Sequence, residues 1–410
     1  MASIKLKHSG GNGTIIAAPT SNPASDKTLT LPSDVDGTVV SKDSSNSLQN
    51  IAGVNGGQLG NRNLIINGAM NVAQRGTSST VYGYGSVDRW KNTQSGVTVT
   101  PTHSQQAATS SDTGIWEAGF RHYLRYALPS AGTNSGASWI SFTQFIEAQD
   151  IASSGWHYNS TSSYITVSYW IRVSTNQTFY AYVGTRDGTR KRFAYAITAS
   201  GNNTWTKITK TISGHADLQF DSNTDRGLDI GVTAHYGTDY TGTATLDAWV
   251  DNSGTNAYPD FATTWLTAGA STFDLTGVQV EVGDHATDFE HRSYGQELAL
   301  CQRYYYVTDP TADNFCGGGG LFMFDAGETS VSYGSLTFAQ TMRAAPTVVL
   351  RDNNGNKDGK VTQHGIAHNI AATATNINEN GFSRINRGSG NWGTSAGNPI
   401  ICGCTADAEI

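Results

Sequence analysis

Tyr180 and Tyr182 stand two residues apart, and Arg186 and Asp187 follow shortly after. In an extended strand that spacing puts both rings on one face, opposite Phe179, Ala181 and Val183. Broad rings beside planar polar groups are what hold a sugar. The rings cover its C–H faces at low ordering cost, and Arg, Asn, Gln and Asp bond its hydroxyls. Trp156, His157 and Tyr158 form a second aromatic group in a stretch rich in Gly, Ser and Asn. These residues together make a candidate ligand platform. The competing reading is two ordinary strand faces, one in the core and one packed on a second sheet or another subunit. A rival site lies in the polar loops around Gly317–Gly320, Asn353–Lys360 and Asn386–Trp392, the last ending on Trp392. Recognition residues concentrate in such loops. Trp139 and Trp170 read as core or interface residues, while Trp116 and Trp265 fit either role.

Other chemistries have thinner support. Glycoside hydrolysis needs two carboxyl groups facing each other across the scissile bond. Asp217, Asp221, Asp225 and Asp229 are candidates, but their crowding in DLQFDSNTDRGLD reads as a solvated loop. The sequence holds no phosphate loop and no long run of β-helix coils. His364 and His368 would align on a helix, yet they sit among Gly and Asn. Cys402 and Cys404 share a strand face; a lone CxC is weak evidence for zinc and reads as packed thiols. Arg190, Lys191 and Arg192 form the nearest thing to a basic run and read as a solvated turn.

The elements that position these residues are strands. Gly reaches 46 of 410 residues, aromatics are plentiful and charged residues make only 14%, a composition of many turns between aromatic-rich strands. The length suggests two or three domains. A net charge of −7 speaks against nucleic acid as a partner. No apolar run reaches membrane-spanning length, so membrane insertion is not expected, and MASIKLKHSGG lacks a signal-peptide core. The four cysteines are expected to be reduced, in a protein made in a cytosol.

The alternation is clearest in YITVSYWIRV, where Ile165, Val167, Tyr169, Ile171 and Val173 point one way. Strands are predicted at Asn63–Ile66, Asn92–Thr100, Arg121–Leu128, Trp139–Ile146, Tyr164–Val173, Thr178–Val183, Phe193–Thr198, Thr204–Ile212, Leu228–Ala234, Thr243–Val250 and Thr272–Val282. The last carries one slip near Gly277, the mark of a bulge. Such a series makes an all-β, antiparallel jelly-roll sandwich over residues 61–292. Ser293 and Gln296 have capping-box spacing and predict a short helical connector over 293–305. A smaller β domain follows over 306–410. Residues 1–60 hold short alternating strands and a linker with no aromatic residue. That segment has too little apolar bulk for its own core; the readings are self-association or a floppy leader.

Three stretches resemble one known family. NLIINGAMNVAQRG (Asn63–Gly76), VDRW (Val87–Trp90) and FDLTGVQVEVGDHATDFEHRSYGQELALCQRYY resemble the recurrent blocks of bacteriophage tail fibre and receptor-binding proteins. TMRAAPTVVL (Thr341–Leu350) and the closing ADAEI resemble the C-terminal part of the same proteins. Asp288 stands where that pattern has Pro. The resemblance implies a homotrimer on the virion, made in the host cytoplasm. It implies a jelly roll similar to carbohydrate-binding modules and a distal β domain. The N-terminal segment, with SDVDGTVVS, would attach to the tail or a neighbouring fibre, and the partner outside would be a bacterial surface glycan or an outer-membrane receptor. It further implies a structural Ca²⁺, for which Asn67, Asp274 and Glu281 are the candidate oxygen donors. The alternatives to an adhesin are a polysaccharide depolymerase and a structural tail adaptor that touches no host.

Overall fold

The computed structural model describes residues 3–7, 13–17, 41–42, 48–49, 61–199, 203–252, 254–308, 320–323, 331–352, 359–363, 367–390, 392 and 399–410. Residues 18–40 of the N-terminal segment expected to hold short strands lie outside these residues, as do Cys316, His364 and most of the distal loops named above. The chain divides into two compact units, Met1–Ala52 and Gly53–Ile410. In the first, β1 (Ser3–Lys7) pairs antiparallel with β2 (Gly13–Ala17). A second pairing, β3 (Ser41–Lys42) with β4 (Leu48–Gln49), falls within the stretch read as linker.

Most of the second unit is two six-stranded antiparallel sheets. The first holds β5 (Ser78–Ser79), β7 (Thr102–Ala107), β8 (His122–Leu128), β10 (Tyr164–Val173), β13 (Thr206–Ser213) and β16 (Ser271–Val282). Its order is β13-β10-β16-β8-β7-β5. The other holds β6 (Lys91–Ser95), β9 (Trp139–Glu147), β11 (Thr178–Thr185), β12 (Lys191–Thr198), β14 (Arg226–Tyr236) and β15 (Trp249–Asp251), in the order β15-β12-β11-β14-β9-β6. The chain passes between sheets from β8 to β9, β9 to β10 and β10 to β11, the wrapped path of a jelly roll. Every second residue of the central strands faces the other sheet. Ile165, Val167, Tyr169, Ile171 and Val173 meet Phe179, Ala181, Val183, Phe193, Ile230 and Val232 in one core. Each Val, Ile and Phe among them contributes roughly 1.5–3 kcal/mol through removal from water.

Three local predictions need correction, and the first is the strand expected over Asn92–Thr100, which ends at Ser95. Asn63–Ile66 is not a strand. Its apolar residues enter the core, but the Asn63 side chain replaces ladder bonds, donating to Val278 O and accepting from Ile65 N and Val280 N. The predicted Thr243–Val250 strand shrinks to β15, because residues 237–248 form an irregular cover over the second sheet. The slip near Gly277 is a register shift between Ser168 and Trp170 of the facing strand. Gly277 has φ +62°, and a Cβ there would lie 2.5 Å from the Phe120 ring.

Ser293 caps α3 (Tyr294–Gln302; the shorter α1 is Ala148–Ala152 and α2 Thr264–Thr267), with the capping box present as the spacing predicts. The chain continues into a sheet of β17 (Tyr305–Thr308), β18 (Gly320–Met323), β19 (Val331–Thr337), β20 (Thr347–Arg351), β21 (Lys360–Gln363), β22 (Ala367–Asn378), β23 (Gly381–Arg387) and β24 (Ile400–Asp407). Its core gathers Phe322, Phe382, Trp392, Ile400, Cys402 and Cys404.

Charged residues join this sheet to the jelly roll. Arg303 donates twice to the buried Glu147 carboxylate, at 2.9 and 2.8 Å, and the Tyr304 hydroxyl donates to it at 2.6 Å. Burial opposes ionisation of Glu147, but these bonds hold its pKa below the usual value. Arg75 lies 3.6 Å above the Tyr305 ring and pairs with Asp407 at 3.0 Å and Glu409 at 3.3 Å. Arg89 stacks at 3.4 Å on Tyr304 and pairs with the same Glu409. The words NVAQRG, VDRW, CQRYY and ADAEI therefore converge on one ionic clasp.

Candidate functional site

The outward face of the second sheet carries Tyr180 and Tyr182, as their alternation predicts. Both are nevertheless buried, at 7% and 6% exposure. Tyr258 stacks on Tyr180 at 5.5 Å, and Phe261 meets it edge-on at 4.8 Å. Gly231 makes room for this layer: a Cβ there would lie 2.0 Å from the Tyr182 ring. Sequence periodicity found the face but not the segment that roofs it. Tyr180 and Tyr182 support the surface and are out of a ligand's reach.

At the margin of that roof an open cleft of about 390 Å³ is lined by Trp139, Arg186, Arg190, Arg192, Tyr236, Tyr240, Asn252, Gly254 and Ala257. Its size lies within the roughly 300–1,000 Å³ of small-ligand sites. Strand register sets its layout. Trp139 pairs with Tyr236, while Arg192 and Asp229 both pair with Gly184, further along the sheet. Trp139 meets the Tyr240 ring edge-on at 5.3 Å. The cleft therefore has an aromatic end and an arginine end.

Arg192 is 8% exposed and lies 4.2 Å from the Tyr182 ring centre and 5.2 Å from that of Tyr258. Its Nε and Nη1 have no hydrogen-bond partner among the described residues. Arg186 donates to Asp229 at 2.7 Å, and Arg226 donates to the same carboxylate at 2.6 Å. Lys191 turns to the other side and is neutralised by Asp217 and Asp251, both at 2.8 Å. Beneath the roof His235 packs on Phe261 and bonds Asn134 and Ser138, each at 3.1 Å. Burial pushes its pKa down to about 4.

The sequence reading thus brings one of its candidates, Arg186, to the cleft. It missed Trp139, Arg190, Arg192, Tyr236 and Tyr240. The available signal was the strand phase: with Phe193 and Tyr195 inward, Arg192 must face out. Asp187 lies in the neighbouring turn, where its carboxylate accepts from Asp221 N at 3.1 Å. Trp156 is a core residue at 3% exposure, Tyr158 packs edge-on against Phe220 at 4.9 Å, and His157 alone of that trio is exposed. Trp392 is 1% exposed inside the C-terminal core. Trp265 is fully buried, and Trp116 lies under Arg121 at 3.9 Å.

A second cleft of about 340 Å³ opens on the first sheet, with Trp170, Phe289, His291, Lys207, Glu117 and Asp288 among its lining. Its charges are mixed. A groove of about 600 Å³ beside α3 is lined by paired charges such as Arg303 and Arg292 and has no Trp, Tyr or Phe in its wall.

The three Ca²⁺ donors do not form a site. Both Asp274 oxygens are taken by two guanidinium groups, Arg125 at 2.8 and 2.9 Å and Arg172 at 2.8 Å, which would repel a cation. Glu281 accepts from Thr287 N, Thr287 Oγ1 and Gln279 Nε2. The Asn67 amide is used by Val72 and Asp88 backbone atoms. Of the loop carboxylates, Asp217 pairs with Lys191 and Asp229 with two arginines. Cys402 and Cys404 are buried thiols whose pKa values burial pushes up.

No protein-family model matches the chain, and no curated protein sequence matches it. Solved structures do resemble it. The enzymatically active domain of tailspike protein 4 of bacteriophage CBA120 aligns at 11% identity and TM-score 0.28, covering 54% of this chain and 21% of that one. The N-terminal cellulose-binding domain of a Cellulomonas fimi β-1,4-glucanase aligns at 14% identity and TM-score 0.25, covering 53% and 99%. A family 11 carbohydrate-binding module of a Clostridium thermocellum cellulosomal cellulase gives 9% and 0.25, covering 53% and 98%. The fold assignment rests on the strand order described above.

Proposed function

We propose that the chain is a homotrimeric phage tail-fibre protein that adheres to a glycan on the bacterial surface and does not cleave it. The observation that carries the glycan reading is the cleft in which Trp139 and Tyr240 stand beside three arginines. A stacked ring and a planar donor are the two halves of sugar recognition. The resemblance of the motif blocks supports the fibre context. Three copies of a weak site raise the overall hold through effective concentration. Val81, Tyr82, Tyr294, Met323 and Tyr333 are large apolar residues left exposed on the single chain, and packing between copies would cover such groups.

The test pairs light scattering with an array of bacterial surface polysaccharides. The proposal expects the mass of three chains and selective binding that Trp139→Ala with Tyr240→Ala abolishes. A monomer rejects the trimer. Binding untouched by the double substitution rejects the cleft. Release of oligosaccharides from a bound polymer would make the protein a depolymerase instead.

A further inference from the structure

We infer that the cleft selects an acidic sugar: one unit bears an anionic substituent that sits among Arg190 and Arg192, while a neighbouring ring stacks on Trp139 and Tyr240. This rests on the reading of the cleft as a glycan site and adds the class of glycan. The first ground is charge balance. No residue lining the cleft is acidic. Asp229, just beyond it, is shared by Arg186 and Arg226, so one carboxylate answers two guanidinium groups. No carboxylate of the described residues pairs with Arg190 or Arg192. The chain as a whole carries −7, so this positive patch is local and not a share of a basic surface.

The second ground is the state of Arg192. Its guanidinium is withdrawn from water, held against two tyrosine rings and hydrogen-bonded to Tyr236, while Nε and Nη1 have no hydrogen-bond partner among the described residues. A buried charge without a counter-charge is costly. In surroundings of low dielectric the same charge acts strongly on whatever enters beside it. An anion in the cleft supplies the missing counter-charge, whereas a neutral sugar leaves Arg192 as it is. The cleft on the first sheet has no such imbalance, since Glu117 and Asp288 stand with Lys207.

Carboxylate and phosphate substituents share this chemistry, and the experiment separates them. Binding of the full chain is measured by calorimetry to polygalacturonate, to its methyl ester, to neutral galactan and to a phosphorylated mannan. The inference expects polygalacturonate or phosphomannan to bind at least tenfold tighter than the ester and the galactan, with an advantage that shrinks as salt rises. The polymer that keeps the advantage identifies the anion. Arg190→Gln, at an exposed position, and Arg192→Gln should each erase most of it. Equal affinity for acid and ester, with both lost in Trp139→Ala, overturns the acidic preference and leaves glycan binding standing. An acid preference that survives both arginine substitutions places it elsewhere and also overturns the inference. Failure to bind any of the four polymers, with selective binding to a neutral polysaccharide on the array, overturns it too; absence of all glycan binding removes the underlying reading as well.

Discussion

Two arginine-rich regions of this molecule work in opposite ways. In the clasp between jelly roll and C-terminal sheet, the arginines meet buried carboxylates: Arg303 binds Glu147, and Arg75 and Arg89 share Glu409. In the cleft, Arg192 is nearly as buried and has no carboxylate beside it. Charge compensation marks a region that holds the fold together. On the function proposed above, the uncompensated charge at Arg192 is the one an anionic ligand answers. Four of the family-like words meet in the first region, and none of the family-like words supplies a residue to the cleft.

The largest expected effect comes from breaking the clasp. Arg303→Ala leaves Glu147 buried without its partner and should cost about 3–5 kcal/mol, read as a lowered denaturant midpoint. Glycan affinity of the folded fraction should stay the same; a joint loss would mean the two regions are coupled. Because the folded pKa of Glu147 is depressed, its contribution is present above the ordinary carboxylate range and is lost as pH falls through the folded value. Asp88 works the other way: burial pushes its pKa up to about 6, so between about pH 4 and 6 it favours the folded state more as pH falls.

The next effect is on the cleft side and also depends on pH. His235 stays neutral in the fold down to about pH 4, while the unfolded chain takes up its proton near 6.5. Stability is therefore full above pH 6.5 and declines as pH falls toward 4, by up to about 3 kcal/mol. His235→Asn should flatten that part of the stability–pH curve, which melting at a series of pH values reads directly; an unchanged slope would assign the loss to other groups. Gly231→Ala should be smaller, at about 1–3 kcal/mol, because a methyl group must displace the Tyr182 ring. It should weaken glycan binding more than its stability loss alone implies, since Tyr182 carries Arg192. Smallest of all, Arg190→Gln should leave the melting temperature unchanged, because Arg190 is exposed, and alter only binding.

The legibility of the chain divides along the same line. YITVSYWIRV, the slip at Gly277 and the Ser293–Gln296 cap are local patterns, and each folds as its spacing dictates. The cleft is assembled from Trp139 in β9, Arg186–Arg192 around the turn into β12, Tyr236 at the end of β14, and Tyr240, Asn252, Gly254 and Ala257 beyond it. No local rule connects these segments. Arg190, Lys191 and Arg192 look alike in sequence, yet β12 begins among them and sends Lys191 to two aspartates and Arg192 to the aromatic face. Trp156 and Trp392 misled for the converse reason: polar neighbours in sequence do not keep a large ring out of a core.

The measurement that bears most directly on where recognition lies is a crystal structure of the chain with a glycan selected from the array. The account predicts a sugar ring against Trp139 and Tyr240, with the ligand reaching toward Arg190 and Arg192. A ligand seated on Trp170 and Lys207, or on the C-terminal sheet, would contradict it.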